Sequence, residues 1–311
     1  YQLIDEKDIP PDYTLLDRPL RTPDSSIGPL VPPSLDQRDE LPKITVITPT
    51  YNDEDHIHRA ITSLLNQSYP DFEYIIIDGA STDDTLEIAE SFQDDRIEII
   101  EQTARRGIGA ARNIGLKHAS APFFSELDAD DEYHPDRLLV LAHVLDQLPE
   151  SFAGVFHSHY WLRSSGKLEL DPVINAEIGY EELTHKNVIE GSSNTMYRTD
   201  RLREVGGWDE GFQAVEDYDL QLRIVRGKRL LPVVEPLYLR HDEGPGLTTD
   251  HRRMKQGLER LITKHRTDFT DQNLQDRYRR LSWRCNQLGE DPDARRYRAL
   301  CHVHAGLWHL T

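Results

Sequence analysis

Between Lys43 and Leu148, short apolar, β-branched runs alternate with segments of helical period, and this alternation constrains the fold more than any other feature of the 311-residue chain. Ile44–Thr48, Tyr74–Ile77, Ile97–Ile100 and Pro122–Leu127 read as buried strands. Glu54–Asn66 carries Ile57, Ala60, Ile61, Leu64 and Leu65 at helical spacing. Asp83–Phe92, Gly109–His118 and Pro135–Leu148 follow as helices, the last with proline in its first turn. Strand–helix alternation predicts an α/β fold with a mainly parallel sheet covered by helices on both faces. Ligands of such sheets bind beyond the carboxyl ends of the strands. Three polar clusters fall there: Thr50-Tyr51-Asn52 after the first strand, Asp78 after the second and Asp128-Ala129-Asp130-Asp131 after the fourth.

The flanks read differently. Residues 1–42 hold Pro10, Pro11, Pro19, Pro23, Pro29, Pro32, Pro33 and Pro42, which forbid regular helix or central strand, so a Pro-rich extended arm is expected. Residues 43–250 form the main domain, with strands expected at Val155–Leu162, Ser193–Tyr197 and Arg229–Val234 and a helix at Asp217–Val225. From His251 onward Leu258, Leu261, Ile262, Leu274, Tyr278 and Leu281 recur at helical spacing, which predicts a helical C-terminal appendage over 251–311.

Four constellations can carry chemistry. In Glu126–Asp131, carboxylates at a strand's end can turn together toward one hard divalent cation, Mn²⁺ or Mg²⁺, because side chains alternate along a strand. Such an ion neutralises a leaving diphosphate. An acidic turn capping the next helix is the plainer alternative. Gly206-Gly207-Trp208-Asp209-Glu210 precedes Glu216-Asp217-Tyr218-Asp219, where one acid can act as general base and Trp208 can stack a sugar. The alternatives are acids answering a helix dipole and a core tryptophan. Arg105–Asn113, with its glycines and arginines beside a helix start, suits a phosphate but lacks the spacing and position of a dinucleotide fingerprint. His241 ends an expected strand after Pro236, where it can ligate a metal or serve structure alone.

Charge excludes one class of partner. The formal charge is −19, so the surface repels phosphate backbones and nucleic acid is not an expected ligand. Lysine occupies only positions 7, 43, 117, 167, 186, 228, 255 and 264, leaving arginine as the main cation, a bias of salt-adapted or GC-rich sources as well as of ordinary acidic proteins. Cys285 and Cys301 suggest packed, reduced thiols and a cytoplasmic setting. The arginine-rich helices allow a peripheral contact at the inner face of a membrane, with a helical cap or homodimer contact the plainer reading.

Lys43–Tyr51, Gln67–Tyr69, Asp78–Asp83, Gly109–Gly115, Leu127–Asp131, Gly206–Glu210 and Glu216–Leu220 occur together and in order. The set, spanning roughly residues 43–245, resembles the family 2 inverting glycosyltransferases with the GT-A fold. The resemblance implies a Rossmann-like nucleotide-sugar half over 43–131, an acceptor half over 132–250, and a hexosyl- or N-acetylhexosaminyl-transferase using a nucleoside-diphosphate sugar, most often a UDP-sugar, and a hydroxyl-bearing glycan or lipid-linked acceptor. Carried over by position, Pro49, Thr50, Tyr51 and Asn52 line the nucleoside pocket with Asp78 near the base, and Arg112 lies near the diphosphate. Asp128 faces the ribose or sugar, and Asp130 binds the metal with His241 completing the site. Asp217 is the catalytic base, with Glu216 beside the acceptor and Trp208 and Asp209 on the acceptor side. Many relatives carry a second acid after the residue matching Asp78; Gly79 stands there, which loosens the expectation of uridine. A nucleotidyltransferase would place a Gly-rich basic loop after strand one, where Thr48-Pro49-Thr50-Tyr51-Asn52 stands. A non-catalytic sugar-nucleotide-binding protein is the remaining alternative.

Overall fold

The computed structural model describes residues 3–4, 41–189, 191–242 and 249–304, with only the backbone of Leu3 and Ile4. The Pro-rich arm expected over 1–42 therefore lies almost wholly outside the described residues. Ten strands form one mixed sheet. They are β1 (Leu3–Ile4), β2 (Ile44–Thr50), β3 (Phe72–Asp78), β4 (Ile97–Glu101), β5 (Phe123–Glu126), β6 (Glu132–Tyr133), β7 (Phe152–Leu162), β8 (Leu168–Asp171), β9 (Thr195–Arg198) and β10 (Arg229–His241). The helices are α1 (Ile57–Leu65), α2 (Thr85–Ser91), α3 (Ile108–His118), α4 (Arg137–Gln147), α5 (Tyr180–His185), α6 (Thr199–Glu204), α7 (Glu216–Ile224), α8 (His251–Lys264), α9 (Asp271–Gln287) and α10 (Asp291–His304).

The sheet runs β1-β8-β7-β9-β5-β2-β3-β4, with β10 along β7. The β2–β3, β3–β4, β2–β5 and β7–β10 pairs are parallel. Antiparallel β9 bridges the two parallel groups, pairing Phe124 with Tyr197 and Val155 with Met196. A strand has two edges; β10 occupies one edge of β7, so β9 and β8 follow one another along the other. Alternation along the central strands sends Val46, Tyr74 and Ile76 to the face covered by α1 and α4, and Ile47, Ile75 and Ile77 to the face covered by α3. Both faces are therefore buried, as a parallel sheet requires.

Three details depart from the sequence reading. The last strand, expected to stop at Val234, continues to His241, and its register shifts flank Pro236, which has no N–H for the ladder. The strand expected at Ser193–Tyr197 begins only at Thr195, because Ser192–Asn194 forms the loop that meets the acidic turn. The C-terminal helices bury Leu258, Leu261, Leu274, Leu281, Cys285 and Tyr297 in the same apolar cluster as Ile47 and Trp208. Cys285 and Cys301 are free thiols.

Candidate active site

The acidic motif lies past the end of β5. The Leu127 amide still donates to Ile47 O (2.9 Å), and Thr48 Oγ1 donates to Leu127 O (2.8 Å), so the chain stays in the sheet for one more residue. It then turns: the Asp131 amide donates to Asp128 O (3.1 Å). Ser193 pins the turn, accepting from the Asp128 amide (3.0 Å) and donating to Asp131 Oδ2 (2.7 Å). Asp128, Asp130 and Asp131 thereby bring carboxylate oxygens within 4.8 Å of one another. It is this turn, rather than side-chain alternation along a strand, that gathers them. Burial and mutual repulsion push Asp131 well above the usual carboxylate range. Asp130 stays exposed as a residue, but desolvation of its carboxyl in the turn, with Asp128 and Asp53 adding, pushes it up to about 6.

The second group is built on Arg112, in α3 and 2 % exposed. Its guanidinium donates to Glu126, to Glu216 Oε1 (2.5 Å) and to Ser192 Oγ (2.8 Å), and lies 3.6 Å from Asp128 Oδ1. The donors expected to face a diphosphate are thus occupied by carboxylates, and Arg112 is the buried counter-ion of the site. Burial drives Glu126 up to about 8, with Arg112 opposing and the charge of Asp128 adding to the rise.

Asp217 is the second residue of α7, after Glu216. The helix follows Val215, whose φ of 58° is a left-handed conformation that a β-branched residue rarely adopts. Asp217 lines a narrow cavity with Glu126, Ser192, Tyr197, Trp208 and Gln221. Burial and Glu216 raise it to about 6, with Arg112 opposing and Asp128 adding to the rise. Asp217 and Asp128 therefore lie within range of one another's charge and of the same guanidinium. Residues from β5, α3 and α7 converge on one rim of the sheet.

On the opposite flank of the turn, β2 and β3 end in register, with Pro49 beside Ile77 and Thr50 beside Asp78. Asp78 is buried and accepts from the Ser81 amide (3.0 Å) and Ser81 Oγ (2.5 Å). Asn52, at φ 55°, accepts from the Thr82 amide (2.9 Å), and the Arg105 guanidinium lies 3.9 Å over the Tyr51 ring. Asp53, absent from the sequence-derived set, ties this loop together: its carboxylate accepts from Thr50 Oγ1 (2.8 Å) and the Tyr51 amide (2.9 Å). Its place after Asn52 at a strand's end was the available signal.

Four more of the expected site residues have partners of their own. Trp208 is 4 % exposed and packs against Phe124, with its amide and carbonyl held by Asn113 (2.8 and 2.9 Å), while it also borders the narrow cavity beside Asp217. Asp209 binds Arg260 (2.9 Å) and Lys264 (2.8 Å) of α8; partial burial opposes, but these contacts and the Gly211 amide pull it down to about 2. It anchors the C-terminal helices. Glu216 is buried on Arg112. His241 stands outside the carboxylate trio: its Nε2 lies 2.6 Å from Glu132 Oε1, and it reaches the turn through Glu132 and Arg59, whose Nη2 donates to Asp130 O (2.7 Å).

Sequence reasoning also missed Arg137, fully buried at the start of α4 directly ahead of the mainly apolar stretch Leu138–Leu145. It donates to Ser193 O (2.8 Å), Thr195 O (2.9 Å), Ser125 Oγ (2.9 Å) and His157 Nε2 (2.9 Å), fixing the loop that holds the acidic turn. A charge at the edge of such a stretch was its signal.

The model of glycosyl transferase family 2 matches residues 45–206. The putative teichuronic acid biosynthesis glycosyltransferase TuaG of Bacillus subtilis is 32% identical over 170 residues, 53% of this chain and 65% of that protein. A Campylobacter jejuni GalNAc(5)-diNAcBac-PP-undecaprenol beta-1,3-glucosyltransferase is 37% identical over 119 residues, 37% of this chain and 38% of that protein. The chain spans less than two thirds of the length of either relative. Among solved structures, Staphylococcus aureus TarS 1-349 in complex with UDP-GlcNAc aligns with a TM-score of 0.61 at 17% identity, over 86% of this chain and 93% of that one. The mannosyltransferase PcManGT of Pyrobaculum calidifontis, in complex with GDP-Man and Mn²⁺, aligns at 0.58 and 20%, over 94% and 89%. Family model and fold agree with the sequence motifs: the chain belongs to glycosyl transferase family 2, on a GT-A fold.

Proposed function

We propose that the chain transfers a sugar from a nucleoside-diphosphate sugar to a hydroxyl-bearing glycan or lipid-linked glycan, with inversion at the anomeric carbon. The observation that carries this reading is the convergence of the Asp128–Asp131 turn and Asp217 on one buried guanidinium. On this reading residues 43–131 form the donor half, 132–250 the acceptor half, and 251–311 a helical cap. The ends of β2 and β3, with Pro49, Thr50, Tyr51, Asn52 and Asp78, receive the nucleoside. Names of the relatives favour a polysaccharide or undecaprenol-linked acceptor, and a UDP-sugar is the first donor to test.

The carboxylate trio fits a divalent cation, Mn²⁺ or Mg²⁺. Burial, with the charges of Asp130 and Asp128 added, drives Asp131 toward its neutral form, and a hard cation relieves the repulsive part of that penalty. Asp130, the trio's exposed member, is the first candidate ligand, with Asp128 beside it. Such an ion supplies charge neutralisation for a departing diphosphate. The chain's own residues do the rest. Asp217 accepts the proton of the acceptor hydroxyl as its oxygen attacks the anomeric carbon. The bond to the diphosphate breaks on the opposite face and takes its electron pair, so the configuration inverts. Arg112 holds Asp217 close enough to its ionised form to act near neutral pH.

The test is release of nucleoside diphosphate from UDP- and GDP-sugars, combined with calorimetric donor binding with and without Mn²⁺. Asp130→Ala is expected to abolish the Mn²⁺-dependent gain in donor affinity. A native protein that releases no diphosphate from any donor, or Mn²⁺-independent binding unaltered by Asp130→Ala, refutes the reading.

A further inference from the structure

The charge of the chain is unevenly distributed. Residues 250–304, which span α8, α9 and α10, hold 13 Lys and Arg against eight Asp and Glu, a net +5 in a chain of net −19. Part of that excess points inward. Arg260 and Lys264 bind Asp209, Lys255 binds Glu290 and Asp293, and Arg277 is buried. Much of the rest lies on one side of α9 and at the start of α8. Arg279, Arg280, Trp283 and Gln287 recur at helical spacing and are exposed, on the side of α9 opposite buried Leu274, Leu281 and Cys285.

Trp283 stands at the centre of this face. Among the described residues, it and Ile174 are the large apolar side chains left exposed, Trp283 at 49 %. His251, the first residue of α8, meets its ring edge-on at 5.3 Å, and the Arg284 guanidinium lies 4.8 Å from its centroid. The exposed Arg252 and Arg253 of α8 therefore border the same patch. Its acids are already engaged: Asp250 pairs with Arg253 (3.3 Å) and Asp276 with Arg279 (3.0 Å). Arg280 is crowded by other cations instead. Burial, with the charge of Arg280 added, holds both Arg277 and Arg284 below the ordinary arginine value. Like charges gathered around an exposed indole are relieved by anions from outside the chain.

The chemistry of the patch says which anions. An indole has an apolar body and one polar N–H, and such rings settle at the headgroup level of a bilayer, where arginines meet anionic phosphates. No described helix is long and apolar enough to cross a membrane, so the contact is a surface one. The acidic remainder of the chain does not forbid it, because fields fade within about 8 Å at physiological salt and only the facing charges count. The patch also lies on the side of the reaction centre. His251 follows, ten residues on, His241, which reaches the acidic turn through Glu132. About 9 Å further along α8, Gly257 packs on Ala214 and Val215, just ahead of Asp217.

We propose that the exposed face of α9 and the start of α8, centred on Trp283, dock on a bilayer surface rich in anionic lipid. The docking does not depend on the glycosyl-transfer reading. The 311-residue chain is sedimented with vesicles of phosphatidylcholine alone and with vesicles about one third phosphatidylglycerol. Each is run at roughly 0.1 M and 1 M salt, where the Debye length falls from about 10 to about 3 Å. The chain is expected to bind the anionic vesicles at low salt, to leave them at high salt, and to ignore the neutral ones. Arg280→Glu is expected to weaken binding roughly thirtyfold, and Trp283→Ser on the order of tenfold. Arg280 is on the surface, so its variant keeps the test decisive should Trp283→Ser fail to fold. Diphosphate release in the absence of vesicles stays native in both. A chain that does not bind anionic vesicles, binds both kinds equally, or binds as tightly in both variants overturns the proposal. A dimer in light scattering that Trp283→Ser dissociates, with no vesicle binding, assigns the patch to a second copy and overturns it too. Vesicle binding without diphosphate release would sink glycosyl transfer and leave the docking surface standing; diphosphate release without vesicle binding would do the reverse.

Discussion

Asp217→Asn removes a negative charge from a buried set in which Arg112 faces Glu126, Glu216 and Asp128 as well as Asp217. Burial and Glu216 raise the Asp217 carboxyl from 3.8 to about 6, so the folded protein binds that proton more tightly than the unfolded chain. The sign follows: native stability contributed by this group falls as pH rises from about 4 to about 6, and the deficit is constant above that. Roughly two pKa units correspond to about 3 kcal/mol, an upper bound because the side chain is partly open to its cavity and water screens it. Asparagine keeps the shape and does not titrate. The variant is therefore expected to be more stable than the native chain at pH 7, by up to ~3 kcal/mol, with the difference vanishing near pH 4. Turnover should fall about 10²–10⁴-fold, the usual worth of a general base. Native kcat/KM should rise with pH and level off above about 6. Denaturant melts at pH 4, 5, 6 and 7, with diphosphate release at each, measure both effects. A variant with near-native turnover, or one whose stability relative to the native chain does not change with pH, refutes the picture of a strained base.

Arg112→Met leaves Glu216 buried without a counter-ion and takes from Glu126 its hydrogen-bond donor, and is expected to cost about 3–5 kcal/mol in denaturant melts, with Arg112→Lys recovering only part because it cannot reach two carboxyl groups and Ser192 at once. In α8, a Cβ added at Gly257 would lie 2.4 Å from Ala214 O and 3.0 Å from Val215 Cγ2, so Gly257→Ala should displace the turn ahead of Asp217. The expected result is a fall in kcat with nucleotide affinity by calorimetry unchanged; native kcat in that variant would show that α8 does not set the turn.

What could be read in the sequence is what depends on short-range pattern. Ile44–Thr48 and Tyr74–Ile77 had to be strands because they are apolar on both faces, and Ile57, Ala60, Ile61 and Leu64 had to face one side of a helix. The strand ends then located Thr50, Asp78 and Asp128–Asp131, because a buried parallel sheet can show polar groups only at its rim. Partners remote in the chain were beyond such reasoning. Nothing near Arg112 says that Glu126 and Glu216 will take its donors, and nothing near Trp208 separates a sugar platform from a core residue packed on Phe124. Asp209 reads as an acid beside a site until α8 arrives with Arg260 and Lys264. Local periodicity and the polarity of strand ends are properties of neighbouring residues, so the chain carries them in linear form. Charge pairing, burial and the emptiness of a cavity depend on distances between residues far apart in sequence, and only packing sets those.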